Sequence, residues 1–326
     1  MKTIRRHSLS LEEWSIFLVS LVPVVVFVLG HLLYDVIGIS YYKTALTDLH
    51  SIKIPPDRQQ AISAGILWAA FAHFYLVTAV CTLLFLFHWL RDRVRAPASL
   101  PFLALAGLLS VLGVAYLLTM DHDNRPIKAI FIVTYYSLSK ISSSLDMQSR
   151  LWAVNGILTL INLFSVVVPA FICSFFPVVL LQPVDGWSEE ALLVRVSDLR
   201  QIGTLASVFM VAGVLHMYAW LSWAPDLLGK SSMESMVASI SLYWGCVFAA
   251  MIASIYIPII ILLQRCAGPV MQEENVPLKD QMGWLIDRGL SFKFLTQISQ
   301  LLSVLAPLVA APAAKMISAL PGLLYK

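Results

Sequence analysis

The chain has 326 residues, 59% hydrophobic and 13% charged, with a formal net charge of +3 and a mean hydropathy of +0.81. Soluble domains carry roughly 25% charged residues and 45–50% apolar ones, so this composition excludes an ordinary water-soluble domain and points to lipid. The slight positive balance carries no nucleic-acid-binding signature, and the four cysteines form no CxxC pair, which leaves neither a disulfide framework nor zinc spacing.

Lys2, Arg5 and Arg6 open the chain, and Ser10-Leu11-Glu12-Glu13 has the form of a capping box, with Ser10 at the N-cap and Glu13 reaching back to its amide. The uncharged run Trp14–Tyr34 follows. It is too long for the apolar core of a signal peptide and no small-residue cleavage motif follows it, so it reads as a retained first span. Five further runs reach the roughly 20 apolar residues that a bilayer requires: Gln59–Leu90, Ala96–Met120, Leu151–Val184, Gln201–Pro225 and Ser235–Gln264. The expected fold is an all-α integral membrane protein, a polytopic bundle of about six transmembrane helices with an amphipathic or interfacial C-terminal helix. Residues 1–264 form the membrane domain, and residues 265–326 form a cytoplasmic tail with a helix over about 279–311. Lys and Arg are densest around Lys2–Arg6 and Arg91–Arg95. The positive-inside rule therefore puts both termini in the cytoplasm, in a plasma or bacterial inner membrane. Trp14, Trp89, Trp152, Trp187 and Trp223 fall near span ends, where an aromatic belt would sit.

Between the third and fourth spans lies Met120-Asp121-His122-Asp123-Asn124-Arg125-Pro126. Its first reading is a helix C-terminus meeting headgroups. Its second is an outer vestibule, in which Asp121 and Asp123 from several copies form an acidic ring that favours cations. Calcium-loop spacing is incomplete, because the glycine at loop position six and the acid at position twelve are missing. No metal is expected. The stretch from Pro126 to Arg150 is too polar in its second half to span. It reads as an interfacial helix, with a re-entrant pore element as the alternative.

On the fourth span Asn155 and Asn162 lie seven residues apart and face one way, with Ser165 nearly on the same stripe. Such a stripe serves either interhelical hydrogen bonding or a pore lining. Pro169 and Pro177 break the inner end of that span, and Pro258 kinks the sixth, a position suited to a gate. Ser188-Glu189-Glu190 caps a helix expected to run unbroken from about Glu189 to Trp223, its first turns projecting into the cytoplasm. His31, His73 and His216 lie within spans, and His216 is a candidate for the polar path. No acid stands with them near mid-span, which argues against proton-coupled transport. In the tail Leu295, Ile298, Leu302, Leu305 and Val309 repeat at heptad spacing, flanked by uncharged polar residues. This stripe packs in the headgroup plane, against symmetry mates as a gate, or as a seventh span over Phe294–Ala314.

No catalytic signature stands in a suitable context, and neither enzyme activity nor a cofactor is expected. Three functions remain. The leading one is a homo-oligomeric ion channel or pore, gated from the cytoplasmic side through the C-terminal helix by a partner or ligand; a membrane effector of bacterial stress or anti-phage defence is its sub-reading. Pore-lining candidates are Asn155, Asn162, Ser165 and His216, with Asp121 and Asp123 at the outer mouth and Pro258, Leu295, Ile298, Leu302 and Leu305 at the gate. The alternatives are a solute carrier with a midplane site and a scaffold anchoring a cytoplasmic partner.

Overall fold

The computed structural model describes residues 11–50, 58–94, 96–119, 148–183, 186–228 and 231–290, with short pieces at 134–135, 138, 305–310 and 312–313. It is all-helical among these residues, and six helices are long and apolar enough to cross a membrane. They are α1 (Leu11–His50), α2 (Arg58–Arg93), α3 (Ala96–Thr119), α4 (Gln148–Phe175), α5 (Glu189–Leu228) and α6 (Ser231–Glu273). Four of them contain a whole uncharged run, and α3 and α4 contain most of theirs. A helix satisfies its own backbone hydrogen bonds, the requirement that a lipid environment imposes on such runs.

The helices alternate in direction, which gives the bundle two ends. We call the end where α1, α3 and α5 begin proximal and the end holding the α5–α6 turn distal. In cross-section α2, α5, α6, α1 and α4 follow one another round a closed ring, and α3 packs on the outside of α4. After α4 the chain does not leave the bundle. Pro177 cannot continue an α-helix, and Phe176–Leu180 form a 3-10 turn whose five residues are all buried. This turn touches α1, α4, α5 and α6 and fills the proximal centre of the ring.

The core is aromatic and aliphatic: Trp220, Phe175, Phe176 and Leu86 are among its largest fully buried side chains. Outward the molecule shows the reverse of a soluble surface. Leu118 is 76% exposed and Val36 75%, and α3 is buried over only a small part of its length. Contiguous exposed apolar surface of this extent needs a covering, and hydrocarbon supplies one.

The first turns of α5 pack on the bundle, with Leu192, Val196 and Leu199 buried. Helix α6 runs on through Arg265 to Glu273 despite Pro258 and Pro269. Within the 279–311 stretch expected as a tail helix, Gln281–Asp287 form α7, which ends where Gly289 takes a left-handed turn at φ +70°, and residues 305–310 are helical again; residues 291–304 lie outside the described residues. The belt reading also shifts for two residues: Trp89 and Trp223 are buried among helices rather than displayed at the rim, whereas Trp152 is 82% exposed.

Candidate functional site

Helix α4 carries the most unusual surface. Its buried face is apolar, with Leu158, Ile161, Val168, Ile172 and Phe175 turned into the ring. Asn155 and Ser165 are exposed and Asn162 is half-buried, so the polar stripe faces away from the interior of its own chain. The Thr159 hydroxyl donates to the Asn155 carbonyl oxygen at 2.9 Å, and the Ser165 hydroxyl donates to that of Asn162 at 2.7 Å. Those two hydroxyls are therefore satisfied within the helix. The carboxamides of Asn155 and Asn162 have no hydrogen-bond partner among the described residues. Beside them Gly156 is exposed, and a Cβ added there would meet nothing within 4 Å. An amide left in hydrocarbon without a partner costs several kcal/mol by order of magnitude.

His216 does not join this stripe. It is 4% exposed, and its Nε2 accepts a 3.0 Å hydrogen bond from the Trp68 indole N–H. Tyr75 and Trp68 pack against its ring at 5.8 and 6.2 Å between centroids. It is a core residue that ties α2 to α5.

Pro258 lies inside continuous α6, next to the fully buried Ile259 and Ile260. Asp121, Asp123, Leu295, Ile298 and Leu302 lie outside the described residues. Leu305 is 44% exposed at the start of a short helical piece that rests on α5 and α6.

Two charge clusters emerge that reading the uncharged runs misses. At the proximal end Asp198 of α5 is 1% exposed. The Arg93 guanidinium of α2 lies 3.2 Å from its Oδ1, and that of Arg195 lies 4.0 Å from its Oδ2. Arg195 also donates to the Leu181 carbonyl oxygen at 3.2 Å, anchoring the end of the 3-10 turn. Nearby, Arg288 at the end of α7 forms an ion pair with Glu189, its Nε 2.7 Å from Oε1. The Arg288 guanidinium also stacks 4.0 Å over the Trp284 ring. Trp284 in turn donates its indole N–H to Glu274 at 3.0 Å. The signal was present in the sequence. Glu189 and Asp198 recur along the extension of the fifth span, and Arg93 ends the second span at the same level. Ser188 caps α5 as expected, accepting from the Ala191 N–H at 3.2 Å.

At the distal end His31 lies between Asp35, 3.5 Å from its Nε2, and the Tyr116 hydroxyl, which contacts the same nitrogen. Phe27 and Trp244 pack around it, and the Tyr243 hydroxyl donates to the Gly30 carbonyl oxygen at 2.6 Å. These contacts join α1 to α3 and α6. The rings meet at tilted and edge-on angles with centroid separations near 6 Å.

Among the described residues no group of three or more metal-ligating side chains comes together. Comparison with protein-family models, with curated proteins and with solved structures finds no match for the chain.

Proposed function

We propose that this chain is an integral membrane protein that assembles with copies of itself through the polar face of α4 and passes ions between the subunits. One observation carries the reading. The polar stripe Asn155–Ser165 looks outward from a ring whose own centre is filled by Phe176–Leu180. A permeating ion therefore has no route through one chain, whereas several α4 faces brought round an axis would line a path with carboxamides and hydroxyls. Interhelical hydrogen bonds of this kind contribute about 0.6–2 kcal/mol each in membranes. Two asparagines repeated round a ring add enough of these to hold an assembly. Asp121 and Asp123 follow α3, the neighbour of α4, and in this reading crown the mouth. The proximal end, with Arg91, Arg93 and the N-terminal Lys2, Arg5 and Arg6, faces the cytoplasm by the positive-inside rule. The α7 hook on Glu189 is the contact through which a partner or ligand would gate conduction.

The test combines particle mass in detergent with ion flux into liposomes. The native chain should be oligomeric and should pass current. The double variant Asn155→Leu/Asn162→Leu should run as a monomer and pass none. A native chain that is monomeric and silent, or a double variant that still conducts, overturns the proposal.

A scaffold remains the second reading because of one feature. Leu278 is 86% exposed and Met282 58%, and together they present an apolar edge beside α7. Leu278→Glu should abolish capture of a cytoplasmic partner if that reading is right, and should leave flux intact if it is not.

A further inference from the structure

The tail returns to the bundle at a telling height. Where Pro307 passes α6 the helix has a glycine: a Cβ on Gly245 would lie 2.6 Å from the Pro307 carbonyl oxygen and 3.2 Å from the Leu308 Cα. This is a backbone-to-backbone approach that only glycine permits. Three residues on, Ala310 is 4% exposed and packs on Val214 of α5, which is fully buried. Both seats lie deep within the spans. Val214 stands midway between Arg200 and Asp226, the charges that bracket it on α5, and Gly245 stands between Glu234 and Arg265 on α6.

The tail sets out from the proximal end, where Leu290 is fully buried and its carbonyl oxygen accepts from the Gln264 side-chain amide. From Gln264 to Gly245, α6 climbs about 28 Å at the rise of an α-helix. Leu290 lies beside Gln264 and Pro307 beside Gly245, so these two points of the tail stand at the two ends of that climb. Beyond Ala310 sixteen residues remain, and their only charges are Lys315 and Lys326. At helical rise they cover about 24 Å, more than half of a hydrocarbon layer about 30 Å thick.

We propose that the tail is a seventh membrane segment seated in the groove between α5 and α6, and that it carries Lys326 to the side of the membrane opposite α7. The inference rests on the membrane reading above but not on conduction. It reverses the expectation that both termini share one side.

Cysteine labelling tests it. In a full-length chain whose four native cysteines are alanine, Leu278→Cys, Leu308→Cys and Lys326→Cys are introduced singly. Each is treated with a membrane-impermeant maleimide in intact cells and again after permeabilisation. Leu278→Cys and Lys326→Cys should react from opposite sides, and Leu308→Cys from neither until the protein is denatured. Adding Gly245→Leu, which fills the seat, should make Leu308→Cys reactive. Labelling of residues 278 and 326 from the same side overturns the inference. If the cysteine-free chain does not fold, alkaline phosphatase and a fluorescent protein fused after Lys326 of the unaltered chain and, separately, after Leu278 report the two sides independently: opposite results support the crossing and matching results overturn it. Extraction of the native chain by alkaline carbonate without detergent would instead remove the membrane reading itself, so the two failures are distinguishable.

Discussion

A carboxylate buried beside two guanidiniums makes Asp198 a demanding position. Breaking a buried pair by removing one partner typically costs about 3–5 kcal/mol, and the half-open Arg93 side chain puts this cluster at or below the lower end of that range. Asp198→Ala should lower the thermal midpoint in detergent, and Asp198→Asn should recover little of the loss because it leaves Arg195 uncompensated. A smaller replacement in the other direction is Trp68→Phe, which strands the buried His216 Nε2 and should cost about 1–3 kcal/mol. Pairing it with His216→Leu should restore part of that loss, since removing both hydrogen-bonding partners leaves neither unsatisfied; calorimetry of the four proteins would show it. These residues explain what the sequence concealed. His216 is visible as an imidazole in an apolar run, but its indole partner lies 148 residues away on another helix. Asp198 sits just outside an uncharged stretch, on helical turns expected to project into the cytoplasm, although the helix carries it indoors.

At the scale of elements the reading was far more direct. Uncharged runs set the six helices because a backbone without water must bond to itself. Ser188 marked the start of α5, and Pro177 marked the broken end of α4, whereas Pro169 lies within the continuous helix. What no local pattern announces is the stop at Gly289, a glycine like any other in the one-dimensional string until the chain has to turn there. The hook that follows α7 gives a prediction of its own. Glu189→Gln should loosen it, and trypsin should then cut at Lys279 and Arg288 severalfold faster, whereas Glu190→Gln, an exposed neighbour, should change nothing. Surface ion pairs are usually worth only about 0–1 kcal/mol. A smaller effect on cleavage would identify the Trp284 stack, which the substitution leaves in place, as the stronger half of the contact. Helix α3 offers a packing test as well. A Cβ on Gly113 would fall 2.2 Å from the Val166 Cγ1 of α4, so Gly113→Leu should push the two helices apart. It should destabilise the protein by about 1–3 kcal/mol in a chemical-denaturation assay, as overpacking does.

For the whole molecule, composition and periodicity disclosed a bundle of six helices long and apolar enough to cross a membrane, but not its cross-section. The ring order, the external position of α3 and the placement of the tail in the α5–α6 groove all depend on which faces meet, and side-chain volumes at single positions such as Gly245 and Gly113 decide that. The outward aim of the α4 asparagines was equally hidden, since a stripe read from spacing has no sign: the same residues could point to a lumen or to a neighbour. On the proposed reading the stoppered proximal centre also dictates how dosage should behave. With five buried residues, Phe176–Leu180, filling the proximal centre of each copy, a solitary chain diluted into excess lipid should be inert. Leak from vesicles should then rise as a steep power of protein-to-lipid ratio instead of in proportion to it, and the exponent would count the copies around each opening.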